Sequence, residues 1–373
     1  MIFGKSQFTA YAKMQAAKGA AETVTATDVV DFLREGTNPV IPKPVQMIDR
    51  GLNRFGPYPS KQSVIGRMGE APYNLELRGS GTAGTPPNGL SPFLETLFGT
   101  KSAHAAGTVE AASGAVDGFD SALDLTVGQL VKVDIGSGSE IRIIDSKSGS
   151  GPYAYTVSSN FTQAPADAAV IHAGVSYFLV SGSDANFFTL DQYIATRRYL
   201  CTDAFTESMA LSLSDEEVIK TVFNIKSISC DKTTASDALT PEYDDTDELV
   251  GLECNLTIGG TAVNMKSMNF DLAYRKTRGG INSTGISDAP FRQAVDASGT
   301  ITPWMEDGSY FDDFFAGSLA DIELLKGTEG TGEQLYILQK DVQYTGPEVN
   351  DDDNDFQWNL PYNITGGVWI GLF

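Results

Sequence analysis

The sequence predicts a mainly β protein, with a β-sandwich or barrel core, one or two short flanking helices and a small inserted β domain. Two observations lead there. Short runs of alternating apolar and polar residues recur along the chain, separated by clusters of Gly, Ser, Asp and Asn, and 38 of the 373 residues are glycine; this is the pattern of many strands joined by turns. Helical spacing, by contrast, is confined to short pieces.

Taken in order, Val29, Val30 and Phe32 suit a strand or a helix equally, so Asp28 to Gly36 stays open. Tyr73 to Leu77 reads as a strand. Leu90, Phe93, Leu94, Leu97 and Phe98 mark an apolar helical face, opened by Ser91-Pro92 and stopped by Gly99. From His104 to Asp120 small residues dominate, which predicts a linker. Beyond it the alternations Val131/Val133/Ile135, Ile141/Ile143 and Tyr153/Tyr155/Val157 predict a self-contained β insertion ending near Ser183. Residues 1–106 and 186–373 then form the core around an insertion over 107–185.

The second half continues as strands at Met209/Leu211/Leu213, Ile219/Thr221/Phe223/Ile225 and Tyr336/Leu338/Lys340/Val342/Tyr344. A hairpin is expected from Leu252, Cys254, Leu256 and Ile258 through Gly259-Gly260 into Val263 to Tyr274, with a bulge near Ser267. Phe311, Phe314 and Phe315 predict a second helix, capped at Ser309 and stopped at Gly317.

Composition narrows the function classes. A net charge of −22, from 26 basic and 48 acidic residues, disfavours phosphate-contacting nucleic-acid binding, because that affinity comes mostly from Lys and Arg. Cys201, Cys230 and Cys254 are few and form no C-x-x-C pair, so they read as small buried hydrophobes, with neither a disulfide framework nor a zinc site expected. The start, with Lys5, Lys13 and Lys18 scattered among polar residues, lacks the order of a secretion signal, and no apolar run is long enough to span a bilayer.

Chemical motifs are weak. Gly79-Ser80-Gly81-Thr82-Ala83-Gly84 fits G-x-G-x-x-G, but Thr85-Pro86-Pro87 follows where a helix should hold pyrophosphate, so a turn-rich loop is expected. Asp351-Asp352-Asp353-Asn354-Asp355 opens like a calcium loop, yet Phe356 and Tyr362 replace its glycine and glutamate. His104 and His172 have no evident partners, and no nucleophile signature is present. The expectation is a protein that is not an enzyme and needs no cofactor or metal. A carbohydrate-binding β protein using Trp304, Trp358 and Trp369 as stacking platforms is the most distant alternative.

Three stretches carry a resemblance: Ala20-Ala21-Glu22-Thr23 through Asp28; Asn74-Leu75-Glu76-Leu77-Arg78-Gly79-Ser80-Gly81 through Pro87; and Leu90-Ser91-Pro92-Phe93-Leu94-Glu95. An early Glu-Thr segment, a strand ending in a Leu-x-Gly-x-Gly turn and a proline-marked loop before a short apolar helix make the chain similar to the tail tube (major tail) proteins of siphophages. The hairpin at Gly259-Gly260, the aromatic helix and the closing Trp358 to Phe373 strand pair extend that likeness. The resemblance implies a virion protein made in the host bacterial cytoplasm. Its subunits would form hexameric rings stacked into a tube around a tape measure protein, between a tail terminator and distal tail or baseplate proteins. DNA would pass through an acidic lumen without specific binding, and no membrane would be involved. A distal tail or baseplate ring component is the nearer alternative. On this reading Glu253, Asn255 and Thr257 are candidates to face the lumen. Asp244, Asp245, Asp247 and Glu248, in the acidic stretch Asp231 to Glu248, are candidates for inter-subunit contact, and Gln46 to Arg67 is expected to fold onto neighbouring subunits.

Overall fold

The computed structural model describes residues 8–48, 63–110, 115–136, 138–179, 186–214, 217–244, 246–251, 254–277, 291–304, 309–352 and 355–373. The chain is mainly β, built from large antiparallel sheets, one of them curled as a half-barrel. The large sheet runs, neighbour to neighbour, through Thr261–Ala262, Asn255–Ile258, Ala320–Lys326, Leu335–Tyr344, Asp355–Leu372, Phe291–Pro303, Met265–Thr277, Arg197–Ser214, Lys220–Thr234, Ser63–Glu76 and Pro42–Ile48. Phe8–Met14 and Phe188–Ile194 join it through the first half of Arg197–Ser214. The second half of that strand pairs with Met265–Thr277 instead, and a register shift between Thr206 and Ser208 marks the change of partner.

The core lies inside this curl. Met209, Leu211, Leu213, Phe223, Ile225, Met268, Phe270 and Leu272 are buried at alternate positions, as strand parity requires. The Leu90–Phe98 helix plugs the curl, with Phe93 stacked against Tyr73, Phe188 and Phe223 at centroid distances of 5.6, 5.2 and 5.6 Å. Gly99 stops the helix as expected, at φ 85° with its N–H bonded to Glu95 O at 2.8 Å. The start differs: Gly89, at φ 62°, holds the cap position where a Cβ would run into the Val29 carbonyl. Ser91 lies inside the first turn and accepts a bond from the Tyr177 hydroxyl at 2.9 Å. The Ser309–Ala316 helix ends at Gly317, φ 65°. The open segment near Asp28 becomes a 3-10 turn, Ala26–Asp28, followed by single bridges from Val29 to Tyr11 and from Phe32 to Leu75.

The small sheet runs from Gly107 to Ile171 in the order Gly107–Thr108, Val170–Ile171, Leu130–Ile135, Gly138–Ser148, Tyr153–Val157, Gly118–Ser121. It has its own core of Val131, Val133, Ile144, Phe119, Tyr155, Phe161 and Ile171. Gly174–Phe178, expected within the insertion, belongs to the large sheet, between the end of Asp355–Leu372 and Thr100–His104. The insertion is seated firmly. Leu130, Ile141 and Ile143 pack on Tyr336, Leu338 and Phe373, and Trp369 Nε1 donates to Gly128 O at 2.9 Å.

Three expectations are corrected here. The Gly259-Gly260 turn exists, with φ 57° and 79°, but the hairpin is short: Thr257 pairs with Ala262 and Ile258 with Thr261, and Val263 N donates to Leu256 O at 2.9 Å. Met265–Thr277 pairs with Arg197–Ser214 and Phe291–Pro303, because its apolar face is needed over the core and not at the sheet edge. One of the two register shifts on that strand falls between Met265 and Ser267, where the parity of the sequence changes, and the other between Arg275 and Lys276. Cys201 and Cys230, expected as unlinked hydrophobes, are joined as a disulfide; they lie opposite each other on Arg197–Ser214 and Lys220–Thr234, a juxtaposition made by register over 29 residues. The alternation Tyr336 to Tyr344, expected as one face, is two: a bulge at Asp341, φ 53°, lets Tyr336 and Leu338 face the insertion while Val342 and Tyr344 face the main core.

Candidate assembly surfaces

The solvent side of the large sheet is the first surface. Opposite the buried Met268, Phe270 and Leu272 stand exposed Asn269 and Asp271. In register with them are Ser212 and Ala210 on one neighbouring strand and Thr300 and Ser298 on the other, with Asp296 exposed further along. Small and acidic side chains therefore give a flat polar face. Two of its lysines are paired: Lys226 lies 2.5 Å from Glu207 and Lys220 lies 3.2 Å from Glu217.

The second surface is one end of the sheet. Met265–Thr277 and Phe291–Pro303 pair with each other out to Thr277 and Phe291, whereas the flanking strands stop pairing at Ala273 and Ser298. Ser63–Glu76 likewise pairs with Lys220–Thr234 only from Gly69 onward, while Ser63 to Met68 pair with Pro42–Ile48 alone. By register both hairpin stems part from their neighbours toward the same end of the sheet, where the neighbouring strands continue to Arg197, Thr234 and Leu372.

The opposite end carries the acidic loop. Asp247 and Glu248 are exposed, next to the bridge from Val218 to Val250 and the bond from Ile219 N to Leu249 O at 2.8 Å. Asp245 lies outside the described residues. The loop is tied to its own chain: Asp237 Oδ2 accepts from Thr9 Oγ1 and Tyr11 OH at 2.7 and 2.9 Å, and Asp244 Oδ2 accepts from Asn88 N at 2.8 Å. Arg78 donates to Thr246 O at 3.1 Å and pairs with Asp31. Burial raises the Glu76 carboxyl, and Glu248 and Asp31 add to the rise. Burial also raises Asp244, against the bond from Asn88 and the charge of Arg78.

Asn255 and Thr257 stand elsewhere than any of these surfaces. They line a cleft of about 290 Å³ between the core and the insertion, with Lys132, Arg142, Glu323, Glu329 and Gln334 among its walls. Glu253 lies outside the described residues. Above this cleft Asp134, His172 and Glu329 bring three ligand-type atoms within 4.8 Å of one another. A cation already occupies the spot: the buried Lys132 ammonium lies 2.7 Å from Glu329 Oε1 and 2.5 Å from Gln334 Oε1, and it holds the Glu329 carboxyl below its usual range. A metal ion about 4 Å from that ammonium would meet a repulsion of about 4 kcal/mol per unit charge at an effective dielectric constant of 20. The cluster is an ion-pair network joining the insertion, which supplies Lys132, Asp134 and His172, to the core loop holding Glu329.

Other sequence candidates resolve into structure. The Gly79 to Gly84 loop packs backbone against backbone, for a Cβ on Gly79 would strike the Gly332 carbonyl and one on Gly332 the Thr82-Ala83 peptide. Trp358 is buried in the core, Trp369 pegs the insertion, and Trp304 bridges to Gln357. His104, expected in a linker without a partner, is buried at the end of Thr100–His104, with Nε2 at 2.9 Å from His172 O and Nδ1 at 3.2 Å from Gln129 Nε2. Both partners are remote in sequence and only the paired strands bring them near. In comparison with known proteins, neither a family model nor a curated protein matches the chain.

Proposed function

We propose that the chain is a structural, self-assembling subunit of a virus particle, similar to the tail tube proteins of long, flexible-tailed bacteriophages, and not an enzyme. The carrying observation is one continuous sheet whose solvent face carries small and acidic side chains and whose two hairpin stems, at one end, pair only within themselves and no longer with the strands beside them. Stems that pair only with each other are suited to reach an adjacent subunit, and joining strands across subunits closes a barrel and removes free edges. In this reading rings of the chain stack into a tube around a tape measure protein, and the face bearing Asn269, Asp271 and Asp296 lines the lumen. That face replaces Asn255 and Thr257 as the lumen candidate, because those two look onto the inserted domain. An acidic lumen gives passing DNA no counterion-releasing contacts.

Electron microscopy of the purified chain at high concentration, in low and in raised salt, tests this. Hollow tubes of uniform width are the expected result, and tubes built with Asp271→Lys and Asp296→Lys should retain DNA that the parent tubes release. Single rings that never stack would favour a distal tail or baseplate component. Monomers under every condition would sink the proposal.

A further inference from the structure

The seam between the inserted domain and the core holds one side chain unlike its neighbours. On Leu130–Ile135, Val131 and Val133 belong to the insertion's own core, whereas Leu130 packs with Tyr336, Leu338 and Phe373 of the large sheet. Lys132 shares the side of Leu130 by strand parity, and its side chain is only 3% exposed. A buried ammonium is costly unless it is paired. Here Nζ has two partners, both from the core: Gln334 Oε1 at 2.5 Å and Glu329 Oε1 at 2.7 Å.

An amine, a carboxamide and a carboxylate in mutual contact are the reactants of an amide exchange. Gln334 is buried as well, and its electrophilic carbon, Cδ, is bonded to the oxygen that Nζ already touches. Both residues are held by their backbones. Lys132 pairs with Ile141 and its carbonyl accepts from His172 N at 3.0 Å, while Gln334 and Phe373 exchange two backbone bonds, at 3.1 and 2.9 Å. Groups fixed in this way need only side-chain rotation to reach the separation of about 3–3.5 Å at which attack is productive. Glu329 is placed to move the protons. Lys132 holds its carboxyl below the usual range, so it stands ionised and able to accept. Its Oε1 also accepts from Ser139 Oγ at 3.1 Å and lies 3.6 Å from His172 Nε2, and its side chain is half exposed, which opens a way out to water.

We propose that Lys132 and Gln334 join as an isopeptide bond, with Glu329 as the catalytic base and acid. Glu329 takes one proton from the Lys132 ammonium, and the amine adds to Gln334 Cδ. Glu329 then delivers that proton to Nε2 as the Cδ–Nε2 bond breaks. A second proton of the former ammonium passes to the departing ammonia, so that ammonium leaves, the third stays on the new amide, and Glu329 is regenerated. No oxidant or further reactant is consumed. The exchange turns a buried charge into a neutral amide and sends the charge to water, which favours the product. The bond spans a sequence separation of 202 residues and staples the insertion to the core within one chain, whether or not the chain assembles.

Mass spectrometry of the purified full chain, reduced to open the disulfide between Cys201 and Cys230, tests this. The parent should weigh less than its sequence by one ammonia, about 17 Da, and digestion should yield a branched peptide joining Lys132 to Gln334. Lys132→Met and Gln334→Met should each restore the full mass while keeping the seam apolar. In full chain made by cell-free synthesis and sampled over time, Glu329→Gln should form the bond about a hundredfold more slowly than the parent. A parent of full mass, with Lys132 and Gln334 recovered in separate peptides, overturns the proposal without reliance on any variant's folding. A deficit of the same size mapped elsewhere, as ring closure at Asn88-Gly89 would give, overturns it equally. Bond formation at the parental rate in Glu329→Gln would overturn the role given to Glu329.

Discussion

His104 Nε2 lies 2.9 Å from the carbonyl oxygen of His172, and this bond ties the strand that enters the inserted domain to the segment that leaves it. The carbonyl can only accept, so Nε2 carries the proton, and Nδ1 accepts from Gln129 Nε2 at 3.2 Å. Gln129 in turn takes bonds at its Oε1 from Ser102 Oγ and Thr126 N, at 2.6 and 2.8 Å. The neck of the insertion is thus a buried network that requires a neutral imidazole.

Acid should therefore loosen the neck. Burial lowers the His104 pKa from 6.5 to about 4. A depressed folded-state value means that the stability is fully present above pH 6.5 and is lost as pH falls toward 4, amounting to about 3 kcal/mol. His104→Gln keeps a neutral side chain, so its Tm should lie below the parent's at pH 7, and the gap should narrow or reverse near pH 4. A gap constant over that range would mean that His104 does not titrate in this way.

The insertion's seat makes a second expectation. Trp369 lies in the apolar seam with Leu130, Ile143 and Phe373 and donates to Gly128 O. Trp369→Ala should cost about 3 kcal/mol, and Trp369→Phe about 1 kcal/mol for the lost bond. Hydrogen exchange should speed up in Leu130–Ile135 before it does in Met265–Thr277. Equal acceleration in both would show that the two sheets unfold as one unit.

Strand faces were legible in the sequence wherever one side alone is buried, as at Met209/Leu211/Leu213 and Ile219/Phe223/Ile225. Two-sided burial hid the rest: Tyr336 and Leu338 alternate with Leu335 and Ile337, which are buried on the other side, so parity could not say which neighbour each face meets. Pairing partners were hidden too. Gly259-Gly260 specifies a turn but not how far its strands stay together, and the juxtaposition of Cys201 with Cys230 depends on register. The candidate surfaces were half legible, since the acidic loop shows in composition while the point at which the stems part from their neighbours emerges only from the ladder.

Gly79 and Gly332 allow two loops to touch through their backbones, which accounts for a glycine-rich run without a nucleotide. Gly79→Ala should cost about 1–3 kcal/mol by forcing the loops apart. Adding a nucleotide should leave the Tm of the parent unchanged in a thermal shift assay, and a rise in Tm would reopen the dinucleotide reading of the loop.

Arg78 is the cation that the acidic end of the sheet is built around. It pairs with Asp31, holds the acidic loop through Thr246 O, and its charge partly offsets the upward push on Glu76 and Asp244. Carboxyls whose folded-state pKa is raised contribute stability below their unfolded values, near pH 4, and that contribution is lost as pH rises through the raised values. Arg78→Ala should raise Glu76 and Asp244 further and remove the bond to the loop. The variant should therefore be destabilised by about 2 kcal/mol at pH 7, with a deficit that shrinks on acidification toward pH 4. Urea unfolding at the two pH values measures this, and a deficit independent of pH would mean that Arg78 acts through packing and its hydrogen bond alone, leaving the acidic end to be balanced by something other than this guanidinium.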